Sequence, residues 1–150
     1  MRALLQRVKR AAVRVGGNLI SEIGPGVLVL LGVGANEDEA VCCRLAAQVA
    51  KLRIFDDTAG KMNLSLLEVG GAALVVPQFT LYADTTRGLR PFFGAACEPG
   101  RARELYERFI AEVARLGVET RTGSFGARMD VELVNDGPVT IMLEASGDRG

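Results

Sequence analysis

The sequence predicts one α/β domain in which two amphipathic helices cover a sheet. The chain has 150 residues, enough for one hydrophobic core but too few for two ordinary domains. Its composition, 49% hydrophobic and 24% charged, is typical of globular proteins and argues against disorder. Two segments carry apolar residues at helical spacing, and several short runs are typical of strands. In chain order we expect two strands, two strand–helix units and three strands.

The first half of the chain contains the strands that should form the centre of the sheet. Leu4 to Val8 and Ala12 to Ile23 predict an opening hairpin, with Gly16-Gly17-Asn18 as its turn. Val27 to Val33 and Ala72 to Val76 are unbroken apolar runs. Such runs are typical of strands that are buried on both faces.

The first helix follows the third strand. The segment Asn36-Glu37-Asp38-Glu39 predicts its start, with Glu39 three residues after a capping Asn36. The apolar positions then recur every three or four residues, at Val41, Leu45, Val49 and Leu52.

The second helix is predicted to begin at Pro99, because proline suits the first helical position, and to end at Gly117. Like the first helix, it has one apolar face, which we expect to pack against the sheet. That face comprises Ala102, Leu105, Tyr106, Phe109, Ile110, Val113 and Leu116.

Three strands should close the chain, over Val118 to Thr122, Met129 to Val134 and Val139 to Leu143. Apolar and charged residues alternate in the second of them, the period of a half-buried strand. The intervening residues 135–138 resemble a turn, since glycine reaches unusual backbone angles and proline removes a donor. Ser146 to Gly150 is predicted to be a frayed tail.

The charge balance argues against a broad nucleic-acid surface. Eighteen basic and eighteen acidic residues give a net charge of zero, whereas proteins that hold many phosphates need a basic face. Local patches remain: an N-terminal cluster, Arg87 with Arg90, and Arg101 with Arg103. Each patch on its own is more often solvated surface, but a protein that grips only one end of an RNA would not need a wider one.

The chain contains no histidine, which excludes serine–histidine and cysteine–histidine relays and histidine metal sites. We expect no metal and no cofactor. The three cysteines are odd in number, and Cys42 adjoins Cys43, so they predict a reducing compartment and a cytoplasmic location. All three, including Cys97, are expected to be small core residues. The longest apolar run is too short to span a membrane.

Two short segments carry a family resemblance. Pro77-Gln78-Phe79-Thr80-Leu81 and Asn135-Asp136-Gly137-Pro138-Val139-Thr140 resemble the paired signatures of the D-aminoacyl-tRNA deacylases, usually Ser-Gln-Phe-Thr-Leu and Asn-x-Gly-Pro-Val-Thr. The resemblance covers nearly the whole chain. Further segments agree with it in the expected order: Gln6-Arg7-Val8, Arg53-Ile54-Phe55-Asp56, Gly60-Lys61-Met62-Asn63, Arg90-Pro91-Phe92, Leu105-Tyr106-Glu107 and Gly123-Ser124-Phe125-Gly126-Ala127.

The resemblance implies a fold, a reaction and partners. It implies a three-layer β/β/α domain over residues 1–150 that forms a homodimer. The reaction would be hydrolysis of the ester that links a D-amino acid, or glycine, to tRNA, without metal or cofactor. The partners would be the acceptor end of aminoacyl-tRNA and a second copy of the chain.

Gln78, Phe79 and Thr80 are the candidate catalytic residues. The segment follows a buried strand, so the Gln78 amide and nearby main-chain donors could stabilise an oxyanion. Without the resemblance, a surface Gln78 in an ordinary strand continuation is the commoner outcome. Thr80 carries the only hydroxyl of the motif, but it is a weak nucleophile without a base. We expect it to be structural or to position water, since the resemblance implies that the terminal 2′-hydroxyl of the tRNA helps to activate water.

Gly137 and Pro138 are the candidate specificity residues. The resemblance implies a cis dipeptide whose carbonyl oxygens enter the active site of the other subunit, hold the substrate's α-amino group and exclude an L side chain. Glycine would pass. Arg7 is similar to the family arginine that packs against this dipeptide; by composition alone it would be one of five solvated basic residues in its segment.

Two points leave the substrate range and the function open. Pro77 stands where serine is usual, which removes a hydroxyl and a backbone donor. The alternative function is a non-catalytic dimeric module that binds RNA ends or an adaptor partner, which the lack of conventional catalytic residues favours.

Overall fold

A long antiparallel pair of strands forms the spine of the sheet. The computed structural model describes residues 1 to 147. Strand β1 (Arg2–Val15) pairs with β8 (Asp130–Glu144) along one edge. Its other edge pairs first with β3 (Gly26–Gly32) and then with β2 (Asn18–Ile23). The predicted opening hairpin is confirmed, but β1 is unbroken from Arg2 to Val15.

The sheet continues through two parallel strands and then curls back. Strand β6 (Ala72–Pro77) pairs with β3, and β7 (Glu119–Thr122) pairs with β6, both in parallel. The Ser21 hydroxyl of β2 donates to the Thr122 carbonyl oxygen of β7 at 2.5 Å. This contact brings two strands at opposite ends of the order together, so the six-stranded sheet is nearly barrel-shaped. The chain is a mixed α/β domain, as predicted.

Both predicted helices are present. They are α1 (Glu39–Lys51) and α3 (Pro99–Arg115). The predicted cap of α1 at Asn36 is wrong, because Asp38 caps it by accepting the Val41 amide at 2.9 Å. Glu37 is engaged elsewhere, since it pairs with the Met1 amino group at 2.8 Å.

Three short elements between α1 and β6 were not predicted. They are β4 (Phe55–Asp56), β5 (Met62–Leu64) and α2 (Leu66–Val69). Each is too short to show a period in the sequence. Ser65 and Glu68 form a reciprocal capping box at the start of α2, which is a local signal that the apolar pattern does not carry.

Two hydrophobic clusters lie on opposite faces of the sheet. One packs the sheet against the helices around Leu45, Phe109 and Val29. The other lies on the far face and contains Leu28 and Leu74. Val29 and Leu28 are neighbours on β3 and serve different clusters, which confirms that this strand is buried on both faces.

Strand β8 replaces the last two predicted strands. The prediction of two separate strands is wrong because both halves pair with β1 in one antiparallel run. Gln6 pairs with Thr140 and Val8 with Asn135, so one β1 residue stands opposite four residues of β8. Residues 136–139 therefore bulge out of the ladder. The residues expected to form a turn between strands form this bulge instead.

The chain after β6 leads towards the helices through a short 3-10 helix, Phe79–Tyr82. A loop follows, closed by an antiparallel bridge between Asp84 and Phe92. Of the predicted tail, Ser146 accepts a hydrogen bond from Arg44 at 2.6 Å, and residues 148–150 lie outside the described residues. Within residues 1–147, no helix has the length and apolarity needed to cross a membrane.

Candidate active site

A cavity of about 610 Å³ opens at the carboxyl ends of β3 and β6. Such ends are where ligands bind in sheets with parallel strands. The wall is mostly apolar and draws on both strands, on the start of α3 and on the segment before β8. Its residues include Leu31, Val33, Val76, Pro77, Gln78, Phe79, Phe93, Cys97, Ala102, Tyr106, Phe125, Ala127, Met129 and Val131.

Two of the three predicted catalytic residues line this cavity. The main-chain N–H of Gln78 donates to the Leu31 carbonyl oxygen at 2.8 Å, which fixes the chain as it leaves β6. The Phe79 ring is 59% exposed and meets Phe93 edge-on, with ring centroids 5.0 Å apart. The alternative of an ordinary strand continuation is wrong, because β6 ends at Pro77 and a 3-10 helix begins at Phe79. Gln78 itself is half-buried.

The third residue, Thr80, is exposed beside the wall and is held by its neighbour. The Gln78 side chain does not cap the 3-10 helix; its Nε2 donates to the Thr80 hydroxyl. Within residues 1–147, the main-chain amides of Phe79 and Thr80 have no acceptor, as is usual for the first amides of a helix. The Thr80 hydroxyl keeps its own proton available for donation.

The two titratable side chains in the wall are neutral near pH 7. Tyr106 donates to the Val75 carbonyl at 2.7 Å, and burial raises its pKa to about 12. Burial also raises the pKa of the Cys97 thiol. The prediction of three core cysteines is correct for Cys42 and wrong for Cys97, which is only half-buried and lines the cavity. Cys43 is likewise only partly buried.

The predicted specificity residues lie at the tip of the β8 bulge. The Gly137-Pro138 peptide bond is cis, and Gly137 has φ +148°. Both residues are exposed. The Asn135 side chain bridges the base of the bulge. Its Oδ1 accepts a hydrogen bond from the Val139 N–H at 2.8 Å, and its Nδ2 donates to the Val139 carbonyl oxygen at 3.2 Å. A single polar side chain thus fixes the position of the dipeptide relative to the strand.

Arg7 holds the other side of the bulge. Its side chain is buried, with Nε donating to the Asp136 carbonyl at 2.8 Å and Nη1 to the Ile54 carbonyl at 2.7 Å. The Asp56 carboxylate accepts from Nη1 at 3.4 Å. The alternative of a solvated Arg7 is therefore wrong. Asp56 and the Ile54 carbonyl were missed from the sequence, since a main-chain acceptor leaves no residue signature.

The two predicted halves of the site do not meet within one chain. Gln78 and Phe79 line the cavity, whereas Gly137 and Pro138 do not. Within residues 1–147, no group of three or more cysteine, aspartate or glutamate side chains could hold a metal ion.

Comparison with known proteins decides the family. A family model described as D-Tyr-tRNA(Tyr) deacylase matches residues 4–144. The chain belongs to this deacylase family. The resemblance carried by the two sequence signatures is thereby confirmed.

Individual relatives of the deacylase family match over nearly their full length. The chain is 58% identical over 150 residues to the D-aminoacyl-tRNA deacylase of Thermomicrobium roseum, covering 100% of this chain and 97% of that one. It is 53% identical over 145 residues to the enzyme of the same name from Symbiobacterium thermophilum, covering 97% of this chain and 96% of that one.

Solved structures share the deacylase fold. The c-Myc DNA Unwinding Element Binding Protein superposes with a TM-score of 0.93 at 37% identity, covering 98% of this chain and 100% of the other. A probable eukaryotic D-amino acid tRNA deacylase superposes with a TM-score of 0.83 at 20% identity, covering 95% of this chain and 97% of the other. The second likeness shows the fold alone.

Proposed function

We propose that this deacylase hydrolyses the ester bond between a D-amino acid and tRNA, releasing the free amino acid and tRNA. Family membership over residues 4–144 carries this conclusion. The geometry supports it, since one signature lines a cavity and the other forms a fixed, exposed main-chain loop.

The cavity suits the terminal adenosine of tRNA. Its wall carries the aromatic rings of Phe79, Phe93, Tyr106 and Phe125. Stacking of a base on an aromatic ring contributes roughly 1–3 kcal/mol. An adenosine stacked there would place its 3′-ester near the start of the 3-10 helix, where the amides of Phe79 and Thr80 can stabilise an oxyanion. One such donor contributes about 3–4 kcal/mol.

The cavity wall offers no side chain that would act as a general base near pH 7. The lining residues include no aspartate, glutamate, lysine or arginine, and Tyr106 and Cys97 both have raised pKa values. This supports activation of water by the 2′-hydroxyl of the substrate itself. Gln78 would then orient Thr80, and Thr80 would position the water.

The active unit is a homodimer in this proposal. Gly137 and Pro138 of one chain reach the cavity of the other, where their carbonyl oxygens accept the substrate's α-ammonium group and their main chain excludes an L side chain. Two observations support this: the dipeptide is exposed outside its own cavity, and β8 pairs with β1 alone among the described strands. A long strand with an open edge favours association with a second chain.

The remaining features follow from the same proposal. Glycine has no side chain to exclude, so glycyl-tRNA is also a substrate. Arg7 positions the dipeptide through the Asp136 carbonyl. Pro77 lines the cavity in place of the usual serine and shapes the substrate range.

Residues 1–150 act as one three-layer β/β/α domain in the cytoplasm. The two clusters on opposite sheet faces support the layers, and the three free cysteines support the location.

The test is hydrolysis of D-tyrosyl-, L-tyrosyl- and glycyl-tRNA with a chelator present. We expect rapid loss of the D and glycyl esters and persistence of the L ester. Loss of both tyrosyl esters would refute chiral selection. A folded protein that binds tRNA but hydrolyses none of the three would establish the non-catalytic RNA-end-binding module instead.

A further inference from the structure

One exposed loop beside the cavity has no role in the proposed reaction. Residues 84–92, here called the arginine loop, connect the 3-10 helix to the segment before α3. Every residue from Ala83 to Phe92 is exposed, and Leu89 is fully so. The Asp84–Phe92 bridge closes the base of the loop, with hydrogen bonds of 2.7 and 2.8 Å.

The arginine loop leaves the protein at the mouth of the cavity. Its first end follows Phe79 by a few residues, and its second end immediately precedes Phe93. The rings of Phe79 and Phe93 contact each other and line the cavity. The base of the loop therefore lies next to these rings.

The charges of the loop are not neutralised within the chain. Arg87 and Arg90 form no ion pair with any residue from 1 to 147. Asp84 is the single acid of the loop, and its carboxylate accepts the Thr86 amide at 2.9 Å rather than binding an arginine.

A third arginine adjoins the cavity wall. Arg128 is exposed and stands between Ala127 and Met129, both of which line the wall. It too has no acidic partner in the described part of the chain. The arginines near the start of α3 differ, because Arg101 pairs with Glu104 at 3.0 Å and Arg103 with Glu107 at 3.2 Å.

We propose that Arg87, Arg90 and Arg128 form a phosphate-binding rim that holds the backbone of the single-stranded 3′ end of tRNA as its last nucleotide enters the cavity. Unpaired guanidinium groups beside an apolar, aromatic cavity fit a strand whose bases stack and whose phosphates stay outside. The inference rests on the proposed function, because it assigns a partner to the same site. It also explains how a chain of zero net charge would bind a polyanion, because the unpaired positive charges of these arginines lie next to the cavity.

The experiment compares two double variants that each remove two positive charges. Arg87→Ala/Arg90→Ala changes the rim, and Arg44→Ala/Lys51→Ala changes the exposed face of α1, where neither residue pairs with an acid among residues 1–147. The kcat/KM for D-tyrosyl-tRNA is measured as a function of salt concentration. Each phosphate contact contributes about 0.7 to the slope of log affinity against log salt on single strands. We expect the rim variant, which loses two contacts, to lose about 1.4 units of slope and at least tenfold in kcat/KM at low salt, and the α1 variant to match wild type.

A second substrate separates the rim from the reaction. The ester 3′-O-D-tyrosyl-adenosine has no phosphate, so the rim variant should hydrolyse it at the wild-type rate. Equal loss on both substrates would overturn the rim and indicate a damaged cavity, and an unchanged salt slope on tRNA would overturn it as well. If wild type hydrolysed neither substrate, the proposed function would fail. The rim would then be judged by the salt dependence of uncharged tRNA binding in fluorescence anisotropy, where loss in the rim variant alone supports it and equal binding refutes it.

Discussion

Arg7 donates from Nε to the Asp136 carbonyl oxygen at 2.8 Å, joining residues 129 positions apart in the sequence. The same side chain donates to the Ile54 carbonyl at 2.7 Å. One buried guanidinium therefore ties the bulge of β8 to the segment around β4. Asn135 holds the bulge from its own strand, whereas Arg7 holds it from β1 and the segment around β4.

Replacing Arg7 should damage both stability and chiral selection. Arg7→Ala leaves the Ile54 and Asp136 carbonyls without their partner, and each unsatisfied buried group costs about 1–3 kcal/mol. Arg7→Lys should recover only part of this, because an ammonium group lacks the planar fork that reaches separated acceptors. Urea unfolding and the D/L ratio of deacylation measure the two effects.

The control for that experiment lies on the same strand. Arg14 forms an exposed ion pair with Glu132 at 3.0 Å, so Arg14→Ala should cost about 0–1 kcal/mol and leave the D/L ratio unchanged. If Arg7→Ala were as mild as Arg14→Ala, the positioning role of Arg7 would be refuted.

Gly137→Ala should reduce the preference for D over L substrates. A Cβ at this position would lie 2.7 Å from Val139 Cγ2 and 2.9 Å from the Val139 nitrogen, and φ +148° is unfavourable for alanine. The bulge must shift, which displaces the carbonyl oxygens that are proposed to select the substrate. The D/L ratio of kcat/KM is the readout.

Gly88 offers a control with nearly the same backbone angle. Its φ is +147°, and a Cβ there meets nothing within 4 Å. Gly88→Ala should leave the D/L ratio at its wild-type value, even if tRNA binding weakens. A change of the ratio in Gly88→Ala, or none in Gly137→Ala, would contradict the assignment.

Alkylation of Cys97 should block the enzyme. The thiol lines the cavity and is half-buried, and its raised pKa keeps the thiolate scarce at pH 7. Inactivation by iodoacetamide should therefore accelerate as pH rises, and adenosine should protect. Mass spectrometry identifies the modified residue. Inactivation of Cys97→Ala at the wild-type rate would show that another group is responsible.

Glu112 should contribute stability that is lost in acid. Arg115 and Arg108 bind its carboxylate and lower its pKa from the ordinary 4.5 to about 2. A lowered pKa in the folded state stabilises the fold above pH 4.5, and that contribution disappears as pH falls from 4.5 towards 2. Urea unfolding should thus give wild type a larger free energy of unfolding than Glu112→Gln at pH 7. The difference between the two should shrink as the pH falls to 2.5. A gap independent of pH would contradict the ion-pair account.

The sequence predicted those elements whose residues carry their own local signal. Pro99 marked the start of α3, and the run from Val27 predicted a strand buried on both faces. The local pattern predicts the cap of α1 two residues too early, because asparagine and aspartate are both favourable caps and Asn36 precedes Asp38. The structure selects Asp38, which accepts the Val41 amide, while Glu37 pairs with the Met1 amino group, a tertiary contact that the local sequence does not show.

The site was predictable in its side chains and not in its main chain. A short motif predicts Gln78 and Phe79 as site residues, and the structure places both in the cavity wall. The continuity of β8 depends on pairing with β1, which is more than a hundred residues away in the sequence, so Gly137 appeared to be in a turn. The acceptors of Arg7 at Ile54 and Asp136 are carbonyl oxygens, which any residue supplies.

The central claim is that each chiral site combines the cavity of one chain with Gly137 and Pro138 of its partner. It is tested most directly in mixed dimers of Ala102→Trp, whose bulky side chain fills the cavity, and Gly137→Ala. In a mixed dimer, the open cavity belongs to the Gly137→Ala chain and the intact dipeptide to the Ala102→Trp chain. The shared site predicts wild-type-like hydrolysis of D-tyrosyl-tRNA with L-tyrosyl-tRNA spared. Mixed dimers that behave like Gly137→Ala alone on both esters would show that each chain uses its own dipeptide, and would contradict the account.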